Sequence, residues 1–236
     1  MRRRESGLTL MEVLIAVSLL SLLSLGMAIA LRVGLSAMAK ANTRLIDDRR
    51  VAGTQRILEQ EIAGFMPVKA LCGSADGQAP GALIQFFQGD AQAMRFVSTY
   101  SLQQAWRGLP QILEFLVIPR EDGKGVRLVV NEHIYSGPRS AGAFCIGPGR
   151  YLPVEPGPAS FVLADNLAFC RFSYLAPVSP PLRIPQWLPA WARPKWPTAV
   201  RLDMEPLRDD VVRLRPVTIT QPIRVNRSPE IDYVDQ

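Results

Sequence analysis

Gly7 and Glu12 bracket the one spacing in this chain that could do chemistry with a newly made chain end. Residues 13–31 follow without a single charge, so Glu12 is a lone carboxylate close to the start of a long apolar run. A carboxylate that stays ionised near a membrane centre costs roughly 2.5 to 3.5 kcal/mol, less toward an interface, and so needs a partner. Hydrolysis of the bond between Gly7 and Leu8 would create an amine at Leu8 about one helical turn from Glu12, or near the Glu12 of a neighbouring helix. The cut supplies the missing counter-charge.

Elsewhere reactive side chains are sparse. His133 is the only histidine, and Asn131-Glu132-His133 carries neither a nucleophile motif nor metal-ligand spacing, so a strand-end histidine meeting a surface carboxylate is expected. Asp209, Asp210, Glu230, Asp232 and Asp235 could ligate calcium, but turn solvation explains them equally. Gly147-Pro148-Gly149 lacks the strand-to-helix setting of a phosphate loop. No catalytic residue, metal site or cofactor is expected. Cys72, Cys145 and Cys170 cannot all pair within one chain; one disulfide between two of them and one buried thiol is the reading, with the pair left open.

Charge and topology constrain the elements that must carry Glu12. The 27 basic and 21 acidic residues are scattered, which argues against a nucleic-acid partner; without Arg2, Arg3, Arg4 and Glu5 the balance is 24 to 20. Three arginines before the apolar run and only Arg32 just after it favour a cytoplasmic amino end. Residues 8–31 as a helix span about 36 Å, enough to cross a membrane. An ordinary secretory signal cut after Ala37-Met38-Ala39 would have a shorter apolar region, and a plain anchor leaves Glu12 unexplained.

Helix-compatible sequence continues to Met66, with Pro67 as the stop. Leu35, Met38, Leu45 and Ile46 share one face, whereas Val51, Leu58, Ile62 and Phe65 fall nearly opposite, so the buried face changes sides near Gly53, where a bend is possible. The second stripe is expected to pack on the chain's own sheet, and Arg44, Asp47, Asp48, Arg49 and Arg50 between the stripes to form a solvated charged face. Strands are predicted over residues 83–87, 94–100, 112–119, 126–130, 167–175, 198–205 and 211–217, with a hairpin turn at Asp122-Gly123 and loops over 72–81, 136–157 and beyond Pro222. Residues 177–197 hold seven prolines with Trp187, Trp191 and Trp196 and cannot be a helix or central strand. The tryptophans are expected on the domain surface, where they could form an interface with a partner subunit or membrane.

The basic leader, Gly7, Leu8, Glu12 and the apolar run together resemble the processing motif of type IV prepilins and type II secretion pseudopilins. The resemblance implies a leader at residues 1–7, cleavage between Gly7 and Leu8 by a prepilin peptidase, N-methylation of Leu8, and Glu12 guiding assembly. Leu8 stands where phenylalanine is commonest in that family. It further implies an α+β, pilin-like fold: a long N-terminal helix, transmembrane over 8–31 and amphipathic in the periplasm over 32–66, packed onto a soluble antiparallel β domain at 67–236.

Downstream, Gly89-Asp90, Met94-Arg95-Phe96-Val97-Ser98, a strand near 112–118, Asn166-Leu167 and Pro197-Thr198-Ala199-Val200-Arg201-Leu202 occur in an order that resembles the J-type minor pseudopilin. Glu12 disfavours the K type, which usually lacks that glutamate. The implied role is non-enzymatic: a subunit of inner-membrane origin at the tip of a periplasmic pseudopilus, partnered by I-, K- and H-type minor pseudopilins, the major pseudopilin and the secretion assembly platform. A separate cytoplasmic motor would drive assembly, since no nucleotide motif is present. A minor pilin of a type IV pilus and a membrane-anchored periplasmic enzyme or binding domain stand as alternatives.

Overall fold

The computed structural model describes residues 10–73, 81–102, 106–147, 149–178, 184–193, 195–207 and 216–224, with the side chains of 43–52, 106 and 107 left aside. Helix α1 runs Leu10–Ala63, and the chain divides into two units, Met1–Arg49 and Arg50–Gln236. Among the described residues the strands are β1 Phe65–Met66, β2 Lys69–Cys72, β3 Ala82–Gln85, β4 Gln88–Gly89, β5 Ala93–Ser101, β6 Trp106–Pro119, β7 Val126–Ile134, β8 Cys145–Gly147, β9 Arg150–Tyr151, β10 Phe161–Leu175, β11 Trp187–Leu188, β12 Ala199–Pro206 and β13 Val217–Pro222. A short helix, α2, occupies Pro138–Gly142.

The helix ends three residues earlier than its composition suggests, because Gly64 passes against the sheet. A β-carbon there would lie 2.6 Å from Ser98 Oγ, and Thr99 donates its N–H to the Gly64 carbonyl at 2.8 Å. Phe65 and Met66 therefore pair with Ser98 and Val97 of β5 instead of completing a helical turn.

Among the described residues nine strands form one antiparallel sheet, with the path β1-β5-β6-β7-β10-β12-β13 and β4 and β11 attached at its sides. The hairpin at Asp122-Gly123 sets the β6–β7 register from Pro119↔Val126 to Gln111↔Ile134; Gly123 and Gly125 take positive φ, and Asp122 Oδ1 accepts the Lys124 N–H. Two register shifts and the left-handed Asn166 divide β10, so its first half pairs with β7 and its second with β12.

Alternation along the strands makes two cores. On one face Leu58, Ile62 and Phe65 pack with Phe96, Leu113, Phe115 and Val130. On the other, Val97 and Ile112 meet Val68, Ala70, Phe86 and Ala141. The predicted loop over 136–157 thus contains α2, β8 and β9, fastened by a disulfide between Cys72 and Cys145 whose Cα atoms are 5.3 Å apart. Cys170 is a buried thiol in the first core. The strand predicted at 211–217 lies mostly outside the described residues, and the observed one begins at Val217. Of the polar tail predicted after Pro222, Ile223 is buried in the main core.

The tryptophan segment requires a larger correction. Trp191 and Trp196 are core residues at 6% and 8% exposure, not surface ones. Gly89 has no β-carbon to obstruct Trp191, whose backbone donates to the Gly89 carbonyl, and its indole N–H donates to Lys195 O at 2.8 Å. Trp196 sits edge-on to Phe65, with centroids 5.4 Å apart. Prolines shape the irregular path that turns both indoles inward. Trp187 alone stays half-exposed, with the Arg201 guanidinium 4.6 Å above its ring. Replacing Trp196 by alanine is expected to cost about 3 to 5 kcal/mol in denaturant unfolding of the detergent-solubilised chain; a change under about 1 kcal/mol would contradict its core placement.

Candidate functional site

Three places collect unusual side chains, and the first is the amino-terminal stretch of α1. From Leu10 through Met38 every large apolar side chain is exposed, and the 33 residues Leu10–Asn42 are long and apolar enough to cross a membrane. Glu12 lies in the first turn of this helix, with Gly7 and Leu8 outside the described residues. Three hydroxyls of this helix are satisfied locally: Ser18 donates to Ile15 O, Ser21 to Val17 O and Ser36 to Val33 O. That back-bonding lowers the cost of placing these three hydroxyls in lipid. Glu12 is thus the carboxylate of this surface, and its other charges, Arg32 and Lys40, stand toward the far end of the helix.

The second place is a cleft of about 420 Å³ above the sheet face opposite α1, lined by Asn131, His133, Phe144, Leu152 and Ser160 with Arg95 and Glu114 at its floor. Arg95 and Glu114, 1% and 4% exposed, face each other across the β5–β6 pair. Arg95 Nε donates to Glu114 Oε1 at 2.6 Å, Nη1 to Gln88 Oε1 at 2.6 Å and Nη2 to Leu152 O at 3.2 Å. Glu114 Oε2 receives Asn131 Nδ2 at 3.1 Å and stands 3.1 Å from His133 Nε2. The carboxylate met by His133 is therefore buried and already matched by arginine, not the surface one expected. Ser160, a hydroxyl lining the cleft, donates to Asn131 Oδ1. This arrangement binds strands and the 152–160 segment together and presents no base aimed at a nucleophile.

The third is Glu61, fully buried where α1 meets the sheet. Sequence patterning passed over both sites. A charge inside Ile112-Leu113-Glu114-Phe115-Leu116, and another between Leu58 and Ile62, were the available signals.

Of the remaining candidates, the disulfide occupies Cys72 and Cys145, while burial, aided by Asp203, pushes the Cys170 thiol up to about 12 and leaves it unreactive. Asp209, Asp210, Glu230, Asp232 and Asp235 lie outside the described residues, as do the side chains of Arg44, Asp47, Asp48, Arg49 and Arg50. Among the described residues no cluster of three or more metal-ligating side chains occurs.

Residues 2–28 match the prokaryotic N-terminal methylation motif. No curated protein matches the chain. With that motif, one apolar helix at the amino end and an antiparallel sheet domain, the chain has a pilin-like α+β architecture.

If the Arg95–Glu114 pair is a structural lock, Arg95→Met alone should lose about 3 to 5 kcal/mol, because Glu114 is stranded in the interior. The double variant Arg95→Met/Glu114→Met should recover most of that loss in denaturant unfolding. Equal losses in both would contradict the lock.

Proposed function

We propose that this chain is a minor pseudopilin of the J type, a non-enzymatic subunit that helps to initiate or cap the periplasmic pseudopilus of a type II secretion system. The observation that carries the reading is Glu12 in the first turn of an exposed apolar helix, within the matched methylation motif. Support for the J type comes from the order of segments: Gly89 ends β4, Met94 to Ser98 lie in β5, residues 112–118 in β6, Asn166-Leu167 at the β10 irregularity, and Val200 to Leu202 in β12.

In this reading the leader is residues 1–7, cut from Leu8 by the prepilin peptidase, and the new amine is methylated. Residues 8–31 cross the inner membrane once, and the sheet domain stands in the periplasm. A stalk of this composition has two dry environments, the bilayer and a bundle of similar stalks. Assembly moves it from one to the other on the secretion platform, driven by a separate cytoplasmic motor. Pairing of Glu12 with the amine of an adjacent subunit sets the axial register and removes the cost of a lone carboxylate in an apolar bundle. The I-, K- and H-type minor pseudopilins and the major pseudopilin are the partners of that bundle.

Glu12→Ala should be processed and inserted normally, yet fall at least tenfold in co-purification with the other minor pseudopilins, with extracellular secretion lost in the native host. Intact secretion would refute the assembly role. Loss of piliation with secretion unchanged would instead assign the chain to a type IV pilus.

A further inference from the structure

Glu61 has no role in the proposed assembly mechanism, and its surroundings are unusual for a glutamate. It lies between Leu58 and Ile62 on α1, is 0% exposed, and neither carboxyl oxygen has a hydrogen-bond partner. The neighbouring donor is Ser98 on β5, whose hydroxyl gives its one proton to the Glu61 backbone carbonyl at 3.0 Å and accepts the Tyr100 N–H at 3.1 Å. The charged group acting on it is another carboxylate, Glu132 of β7, held in place where its Oε1 accepts the Leu102 N–H. Along the chain, Ile57 and Leu58 one turn before it and Gly64 and Phe65 just past the end of α1 do not titrate. No cation among these neighbours offsets the charge of an ionised Glu61.

We propose that Glu61 makes the seating of the last turns of α1 on the sheet proton-dependent. With the carboxyl neutral, residues 54–63 lie closed on β5 and β7; with the carboxyl ionised, burial and the Glu132 charge expel it and the segment lifts. The contacts that would break are specific. They are the Leu58 and Ile62 packing, the Ser98 hydroxyl bond to the Glu61 carbonyl, and the Thr54 hydroxyl bond to Leu163 O at 2.7 Å. A glutamine or leucine would fill the site without this sensitivity, so a carboxyl here trades stability at high pH for a movable joint.

Desolvation by burial, with the Glu132 charge adding to it, raises the Glu61 pKa from 4.5 to about 8. The closed form is the one that holds the proton. Its stability is therefore full below about pH 4.5, declines as the pH rises, and levels off above about 8.

Hydrogen exchange of the 57–63 amides in the full-length protein in detergent micelles, corrected for the intrinsic pH dependence of exchange, tests the proposal. Between pH 5 and pH 8 the opening constant should rise by roughly two to three orders of magnitude in the wild type. Glu61→Gln should flatten this rise. Glu132→Gln should shrink it and end it at lower pH, which provides the test should the Glu61 variant fail to fold. A flat wild-type profile, an unchanged rise in a folded Glu61→Gln, or a Glu132→Gln profile identical to wild type would overturn the proposal.

Discussion

A helix clothed in leucine, valine and isoleucine around its whole circumference cannot be left in water, and that constraint governs everything else in this molecule. From Leu10 to Met38, seventeen large apolar side chains are exposed. At about 1.5 kcal/mol or more each, wetting them would cost on the order of 25 kcal/mol, beyond the roughly 5 to 15 kcal/mol that holds a domain folded. Lipid or other apolar helices must cover this surface. Ser18, Ser21 and Ser36 bond back to the helix, and Glu12 is the carboxylate that marks its amino-terminal end.

Past residue 53 the same helix does different work. Thr54, Leu58, Glu61 and Ile62 are buried against the chain's own sheet, and Gly64 lets the backbone touch β5 before the chain becomes β1. The opposite sheet face is closed by β2, β3, α2, β8 and β9, joined by the Cys72–Cys145 bridge and resting on the Arg95–Glu114 pair. Polar groups thus sit at both sheet faces. One is fully matched, and the other, Glu61, is not.

Much of this was legible from residue order. Val200, Leu202 and Met204 alternate with charged neighbours because β12 has one face in the core, and Asp122-Gly123 marked a hairpin because its turn needs a positive φ. The helix end at Ala63 was missed because nothing in Phe65-Met66 opposes helix; a close backbone approach from a strand distant in sequence decides it. Trp191 and Trp196 misled because proline-rich sequence reads as exposed coil, whereas Gly89 and the Lys195 carbonyl, which receive Trp191, and the Phe65 ring, which receives Trp196, are long-range or conformational facts. The short elements between 138 and 151 have no periodicity to read, being held by the disulfide and a small second core. Glu114 and Glu61 were visible as charges in apolar segments, yet only pairing geometry separates a matched carboxylate from an unmatched one.

In the proposed assembly, covering of the amino-terminal helix is coupled to a new chain end beside Glu12. The intact mass of the mature protein, purified from the membranes of its native host, tests that most directly. The prediction is a chain beginning at Leu8 and carrying one methyl group. A chain that keeps residues 1–7, or one that begins after Ala39, would contradict it.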